Sequence, residues 1–255
     1  MTDSIERFTN RVDNYARYRP HYPRDLITFL TGNQIVRKDD VIADIGCGTG
    51  ISTRMFLENG NRVFGVEPNE AMRNAAVDYL AGLDRFTLVD GTSEHTGLDS
   101  ASIDLVVVAQ AFHWFDPQKT RAEIRRVLKP GGGVLLIWNE RQLATTPFLA
   151  DYEAFIMLWG RDYSVVRHDN IKTAELDQFF AQPYSEATFQ NVQGLDFDGL
   201  KGRLLSSSYM PNDDHPSYAE MIESLASLFA KHQQNGRIEI LYDTNVYYSR
   251  PFLWQ

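Results

Sequence analysis

The stretch Val41-Ile42-Ala43-Asp44-Ile45-Gly46-Cys47-Gly48-Thr49-Gly50 decides the fold. An apolar run of strand type enters a glycine-rich turn, and the residues that follow, 51–58, carry a helical pattern. Strand, tight glycine turn and helix make the opening of a βα unit, whose loop backbone can approach a ligand closely. The same rhythm continues outward. Residues 62–67 read as a strand, 69–80 as a helix with Asn69 as its N-cap, and 85–89 as a third strand. Residues 103–109 (IDLVVVA) are continuously apolar, as a strand covered on both faces must be. A helix over 118–128 stops at Lys129-Pro130-Gly131-Gly132-Gly133, and 134–138 (VLLIW) forms a fifth strand. Strands alternating with helices at this spacing imply a doubly wound α/β fold, its sheet mostly parallel and covered by helices on both faces.

Past Asn139 the rhythm changes. Residues 147–160 look helical and aromatic, as do 199–205 and 218–232 in helical periodicity, with strands over 187–192 and 238–248. Late strands separated by helices imply one domain over 1–255 with cap insertions at about 147–184 and 197–235. The 255 residues suit that size.

The formal charge is −9, from 25 Lys plus Arg against 34 Asp plus Glu, which disfavours a nucleic-acid partner because a phosphate backbone is held by clustered cations. Cys47 is the single cysteine, so no internal disulfide framework is available. No apolar run approaches the length that spans a bilayer, and MTDSIERFTNR lacks the apolar centre of a secretory signal. The expectation is a cytoplasmic protein without membrane contact; the composition does not speak to oligomeric state. His95, His168, His215 and His232 show no ligand spacing, and no metal site is expected.

The loop itself narrows the ligand. A dinucleotide fingerprint would place its third glycine where Ile51 stands, and a P-loop would need a Lys after its last glycine. Asp44 precedes the loop, and a carboxylate there repels a pyrophosphate and attracts a cation. S-adenosylmethionine carries an ammonium and a sulfonium and no phosphate, so the loop favours it over NAD or ATP. Glu67 closes the next strand, about 20 residues on, where a carboxylate can accept both ribose hydroxyls of an adenosine cofactor.

With these residues in place, the chain resembles the class I S-adenosylmethionine-dependent methyltransferases, within the type 11 branch that includes trans-aconitate methyltransferase-like proteins. The resemblance is carried by DIGCGTG (44–50), VEPNEAM (66–72), GTSEHTGL (91–98), IDLVVVAQAFHWFD (103–116) and VLKPGGGVLLIWNE (127–140), with YARYRPHYP (15–23) ahead of them. It implies a seven-stranded sheet whose last strand runs antiparallel. It also implies that Gly46, Gly48 and Gly50 line the methionine and ribose part of the cofactor, with Asp44 supporting the loop and the ammonium. Glu67 would take the ribose hydroxyls, and Pro68 and Met72 would flank the adenine. Thr92 and Ser93 would meet the adenine edge, although relatives carry Asp where Thr92 stands. Gln110 follows strand four, where relatives offer a carbonyl to the cofactor.

Other residues take roles from their chemistry. Tyr15, Tyr18, Arg19, His21 and Tyr22 form an aromatic and basic segment suited to a lid, with Arg19 or Tyr18 meeting the cofactor carboxylate. His113 stands as a general base or a pocket-shaping residue. Trp114, Trp138, Tyr209, Tyr247 and Arg250 are candidates for the acceptor pocket. A carboxylic acid acceptor would be received by Arg141, Arg203 or Arg250. The expected activity is methyl transfer to a small molecule, driven mainly by positioning. The alternatives are a non-catalytic S-adenosylmethionine-binding protein and an NAD-dependent oxidoreductase.

Overall fold

The computed structural model describes residues 14, 17–161, 163 and 173–252; Tyr15 and His168 lie outside them. Its elements run α1 (Arg24–Gly32), β1 (Val41–Ile45), α2 (Ile51–Glu58), β2 (Arg62–Val66), α3 (Glu70–Tyr79), β3 (Phe86–Val89), β4 (Ile103–Ala109), a 3-10 turn (Phe112–Trp114), α4 (Pro117–Val127), β5 (Leu128–Arg141), α5 (Pro147–Trp159), α6 (Thr173–Phe180), β6 (Ser185–Leu195), α7 (Phe197–Leu205), α8 (Tyr218–His232) and β7 (Ile238–Ser249). The expected α/β succession is present. Helices α1 and α6 are additions to the sequence reading. Strand β5 is longer than its apolar centre, because Asn139–Arg141 go on pairing with Tyr242–Thr244.

The seven strands form one sheet in the order β3-β2-β1-β4-β5-β7-β6. Neighbours from β3 through β5 pair in parallel. β7 pairs antiparallel with both β5 and β6 and is the reversed strand, as expected of the last one. Its amino end therefore shares an edge of the sheet with the carboxyl ends of β1, β2, β4 and β5.

Alternating side chains of the central strands fill two cores. Val106 and Val108 of β4 join Val134 and Leu136 of β5 on one face, under Ile124 of α4 and Phe179 and Phe180 of α6. Leu105, Val107 and Ala109 face the other way, against Leu26 and Leu30 of α1 and Phe56 of α2. A third cluster joins α5, α7 and α8 over the start of β7, through Tyr152, Phe155, Leu200, Leu204, Met221 and Tyr242. The 147–184 range thus divides. α5 belongs to this third cluster, whereas α6 packs on the sheet, because Leu176, Phe179 and Phe180 offer it a wholly apolar face. Among the described residues no helix is long and apolar enough to cross a membrane.

Arg250 closes the fold from the opposite edge. Its guanidinium donates to both carboxylate oxygens of buried Asp40, at 2.5 and 2.8 Å, and to the Ile35 carbonyl at 2.7 Å. The pair ties the end of β7 to the α1–β1 connection, beyond the amino ends of the parallel strands. Removing one partner of a buried pair leaves the other charge uncompensated, at a cost of about 3–5 kcal/mol. Arg250→Gln should lower stability by that order in denaturant unfolding while leaving ligand binding at the far edge unchanged; a melt equal to wild type would show the pair to be dispensable.

Candidate functional site

The carboxyl ends of β1, β2, β4 and β5 surround a cavity of about 280 Å³. The loop after β1 forms one wall. Asp44, the fourth residue of β1, is fully buried beneath that loop, where its Oδ2 accepts from the hydroxyls of Ser52 and Thr53 at 2.7 Å each. These residues lie in the first turn of α2, so the carboxylate ties the strand to the helix and the loop must arch between them. Asp44 does not line the cavity. It lies below the loop, and its Oδ1 has no hydrogen-bond partner among the described residues.

Two of the glycines are required for different reasons. Gly46 has φ +72, and a Cβ there would meet the Ala111 Cβ at 2.7 Å, so the loop packs tightly against the segment after β4. Gly48 has φ +54, and a Cβ there would meet nothing within 4 Å: it borders open space. Its N–H donates to Glu67 Oε2 at 3.1 Å, while the Asn69 N–H donates to Glu67 Oε1 at 2.9 Å. Glu67 at the end of β2 thus holds the loop from the other side and still faces the cavity with lone pairs to spare. Burial pushes its pKa up against the two N–H bonds. Asn69 caps α3 as expected, its Oδ1 accepting from the Met72 N–H at 3.0 Å. Pro68 and Met72 line the same wall. Gly50 is the N-cap of α2 and stands off the cavity.

The segment after β4 forms the floor. Gln110 has φ +57, a left-handed backbone in a non-glycine residue, held by its N–H on the Ile137 carbonyl and its Nε2 on the Asn139 carbonyl, both 3.0 Å. Such strain persists only where surrounding structure imposes it, and it gathers at functional sites. His113 and Trp114 follow, their rings 4.7 Å apart, and both line the cavity. Trp138 touches the cavity but is otherwise core, only 2% exposed and edge-on to Phe112. Arg19 lines the opposite side, donating to the Ser206 carbonyl at 3.0 Å. Tyr18 does not line it; its carbonyl accepts from Gln193 and its ring fills the space left by Gly202.

Several expected residues lie elsewhere. Ser93 is buried and accepts from the Thr120 hydroxyl at 3.0 Å, and Thr92 accepts from the His95 N–H in a local turn, so neither reaches the lining. Tyr247 and Arg250 are corrected as acceptor-pocket candidates. β7 runs backwards, so its later residues descend away from the ligand edge: Tyr247 pairs with Leu136 mid-sheet and Arg250 binds Asp40 at the opposite edge. The same reversal brings Tyr242, paired with Arg141, to the cavity. Tyr209 is on the lining, in ring contact with Tyr163 at 4.9 Å.

The sequence reading passed over Thr49, Tyr163 and Tyr242. Thr49 lines the cavity, and its Oγ1 is buried with no partner among the described residues. The three arginines considered for an acceptor carboxylate are in different states. Arg141 is bonded to Glu153 and to Tyr163. Arg250 is consumed by Asp40. Among the described residues Arg203, buried on α7, donates only to hydroxyls: Tyr242 at 3.2 Å, Ser207 at 3.2 Å and Ser206 at 3.5 Å.

Burial raises the Asp44 carboxyl to about 6, against the hydrogen bonds from Ser52 and Thr53. A carboxyl whose folded value lies above its unfolded one holds its proton more tightly in the native state. Its contribution to stability is whole below about pH 4 and is lost as pH rises through about 6. In the ligand-free protein, Asp44→Asn removes this titration. The stability of wild type relative to the variant should fall from pH 4 to pH 7 by up to about 3 kcal/mol in calorimetry. Parallel pH profiles would show that Asp44 carries no such shift.

Residues 43–136 match the methyltransferase domain family. An uncharacterised methyltransferase of Mycobacterium tuberculosis is 40% identical over 135 residues, which is 52% of this chain and 52% of that protein. The match thus spans about half the length of that relative. An uncharacterised methyltransferase-like protein of Schizosaccharomyces pombe is 27% identical over 96% of this chain and 95% of its own. Among solved structures, a candidate type II methyltransferase of Anaeromyxobacter dehalogenans shares the fold with a TM-score of 0.69 at 22% identity, covering 91% of this chain and 98% of that one. An S-adenosylmethionine-dependent methyltransferase of Geobacter sulfurreducens, solved with S-adenosylhomocysteine, gives 0.52 at 18% identity over 96% of each chain. The loop that Asp44 and Glu67 hold from two sides, at the edge of a sheet with one reversed strand, lies within the segment that is similar to the methyltransferase domain family.

Proposed function

We propose that the chain transfers a methyl group from S-adenosylmethionine to a small-molecule acceptor, a carboxylic acid being the acceptor class that suits the cavity's cationic end. The observation that carries the proposal is the pair of buried acids at the loop: Asp44 beneath it and Glu67 facing the cavity above it. Such a site disfavours phosphate and suits a cationic, hydroxyl-bearing cofactor. The donor set fits. Thr49 Oγ1 has no partner among the described residues, the face of Gly48 is open, and each Glu67 oxygen has spare lone pairs.

When bound, S-adenosylmethionine supplies a methyl group activated by its sulfonium. Glu67 would accept the ribose hydroxyls, Pro68 and Met72 would flank the adenine, and Gly46 and Gly48 would let the backbone approach the methionine part, with Arg19 on the side of its carboxylate. Gln110, His113 and Trp114 border the space between cofactor and acceptor, fix their relative orientation and exclude water, and in an in-line displacement that supplies much of the rate. A carboxylate acceptor is already deprotonated at neutral pH, so His113 orients rather than abstracts a proton.

Isothermal titration with S-adenosylhomocysteine tests the cofactor. Micromolar binding is expected, weakened at least 10-fold by Glu67→Gln, which removes charge-assisted hydrogen bonds. No heat from the wild type at high micromolar concentration would overturn the proposal. Methyl-ester formation across a panel of small carboxylic acids then separates a transferase from a protein that binds the cofactor without turnover.

A further inference from the structure

Arg203 is a buried cation with no acid paired to it among the described residues. Its residue is 9% exposed, and a buried charge is costly unless paired. Yet among the described residues no carboxylate lies within ion-pair range of it. Its Nε and Nη1 donate to the hydroxyls of Tyr242, Ser206 and Ser207, which are neutral, and Nη2 has no partner among the described residues. Two other arginines considered for an acceptor are answered by acids, Arg141 by Glu153 and Arg250 by Asp40. Arg203 also lines the cavity, so its free donors are open to a ligand.

Its position is away from Glu67, the residue proposed to take the ribose hydroxyls. Arg203 is bonded to Tyr242 of β7, whereas Glu67 ends β2, and β1, β4 and β5 lie between those strands. At about 4.8 Å per strand, β2 and β7 themselves are roughly 19 Å apart along the sheet edge, and the two side chains reach into the one cavity from those different strands. The hydroxyls around Arg203 fix the orientation of its fork without consuming its charge, which is what a planar two-oxygen anion requires.

Resting on the methyltransferase reading above, we propose that Arg203 is the specificity-determining residue of the acceptor site and receives a carboxylate of the acceptor through its free guanidinium edge. Tyr242, Ser206 and Ser207 act as positioning residues that hold the fork. The one competing source of the same chemistry is the α-carboxylate of the cofactor itself.

The test titrates wild type, Arg203→Lys and Arg203→Gln with succinate, hexanoate and cinnamate and with the corresponding amides, each with and without S-adenosylhomocysteine. Wild type should bind at least one acid and prefer it to its amide. Arg203→Gln should weaken that acid about 30-fold or more, as expected when one side of a buried charge pair is lost, and should abolish the preference. Arg203→Lys should retain part of it, because the charge remains and the fork does not. Affinity for S-adenosylhomocysteine should be unchanged in both variants. Acids and amides bound alike by wild type, or no acid bound at all, overturns the proposal without relying on any variant's folding. So does a loss in Arg203→Gln of affinity for S-adenosylhomocysteine but not for methylthioadenosine, which lacks the carboxylate: the anion would then be the cofactor's. Missing S-adenosylhomocysteine heat counts against the cofactor, while the acid titrations without it still decide on Arg203.

Discussion

Asp44 makes the contact on which the site depends. Its carboxylate leaves β1 and accepts from Ser52 and Thr53 in the first turn of α2, so strand and helix are clamped at a fixed separation. The glycines between them would otherwise sample many conformations, and ordering them is entropically expensive. Glu67 clamps the arch from the side, taking the Gly48 and Asn69 N–H groups from the neighbouring strand β2. Two carboxylates from adjacent strands thus convert a flexible turn into a rigid one. Both are buried, and burial pushes both carboxyls up. A negative, poorly solvated floor is the electrostatic character the loop presents to anything lying over it.

The second determinant is the reversal of β7. A parallel sheet gathers strand carboxyl ends on one edge, and ligands bind there. A strand running backwards contributes its beginning to that edge and its end to the other. Tyr242 therefore meets the cavity beside Arg141, while Arg250 reaches the far edge and binds Asp40. The C-terminal strand does two unrelated jobs: its first residues shape the pocket and its last residues lock the opposite edge to α1. The helices α5, α7 and α8 settle over the pocket end because their apolar residues meet the start of β7.

How much was legible follows from the range of the interactions concerned. The glycine loop, the Asn69 cap and the buried strand β4 are written in near neighbours, and all appear where the pattern places them. Glu67, Pro68 and Gln110 reach the cavity because each directly follows a strand that ends at the ligand edge, and Met72, His113 and Trp114 because they lie in the first turns that succeed those strands. Thr92 and Ser93 follow β3 too, but the turn with His95 and the bond to Thr120 draw them away. Helix α6 joined the sheet rather than the layer above it, since its aromatic face fits the core beside Phe112 and Phe252. Tyr247 and Arg250 lie away from the cavity, because a reversed strand carries its last residues to the edge opposite the ligand.

The amino-acid sequence by itself determined the α/β succession, the loop between β1 and α2, and the acids that surround it. Backbone conformation and strand periodicity depend on residues only a few positions apart. The tertiary structure alone decided which cation remains without a counter-charge. Arg141, Arg203 and Arg250 are equivalent as letters, and what distinguishes them is the long-range placement of Glu153, of Asp40, and of the hydroxyls around Arg203. Charge compensation is set by distances across the fold, and those distances exist only once the chain has closed on itself.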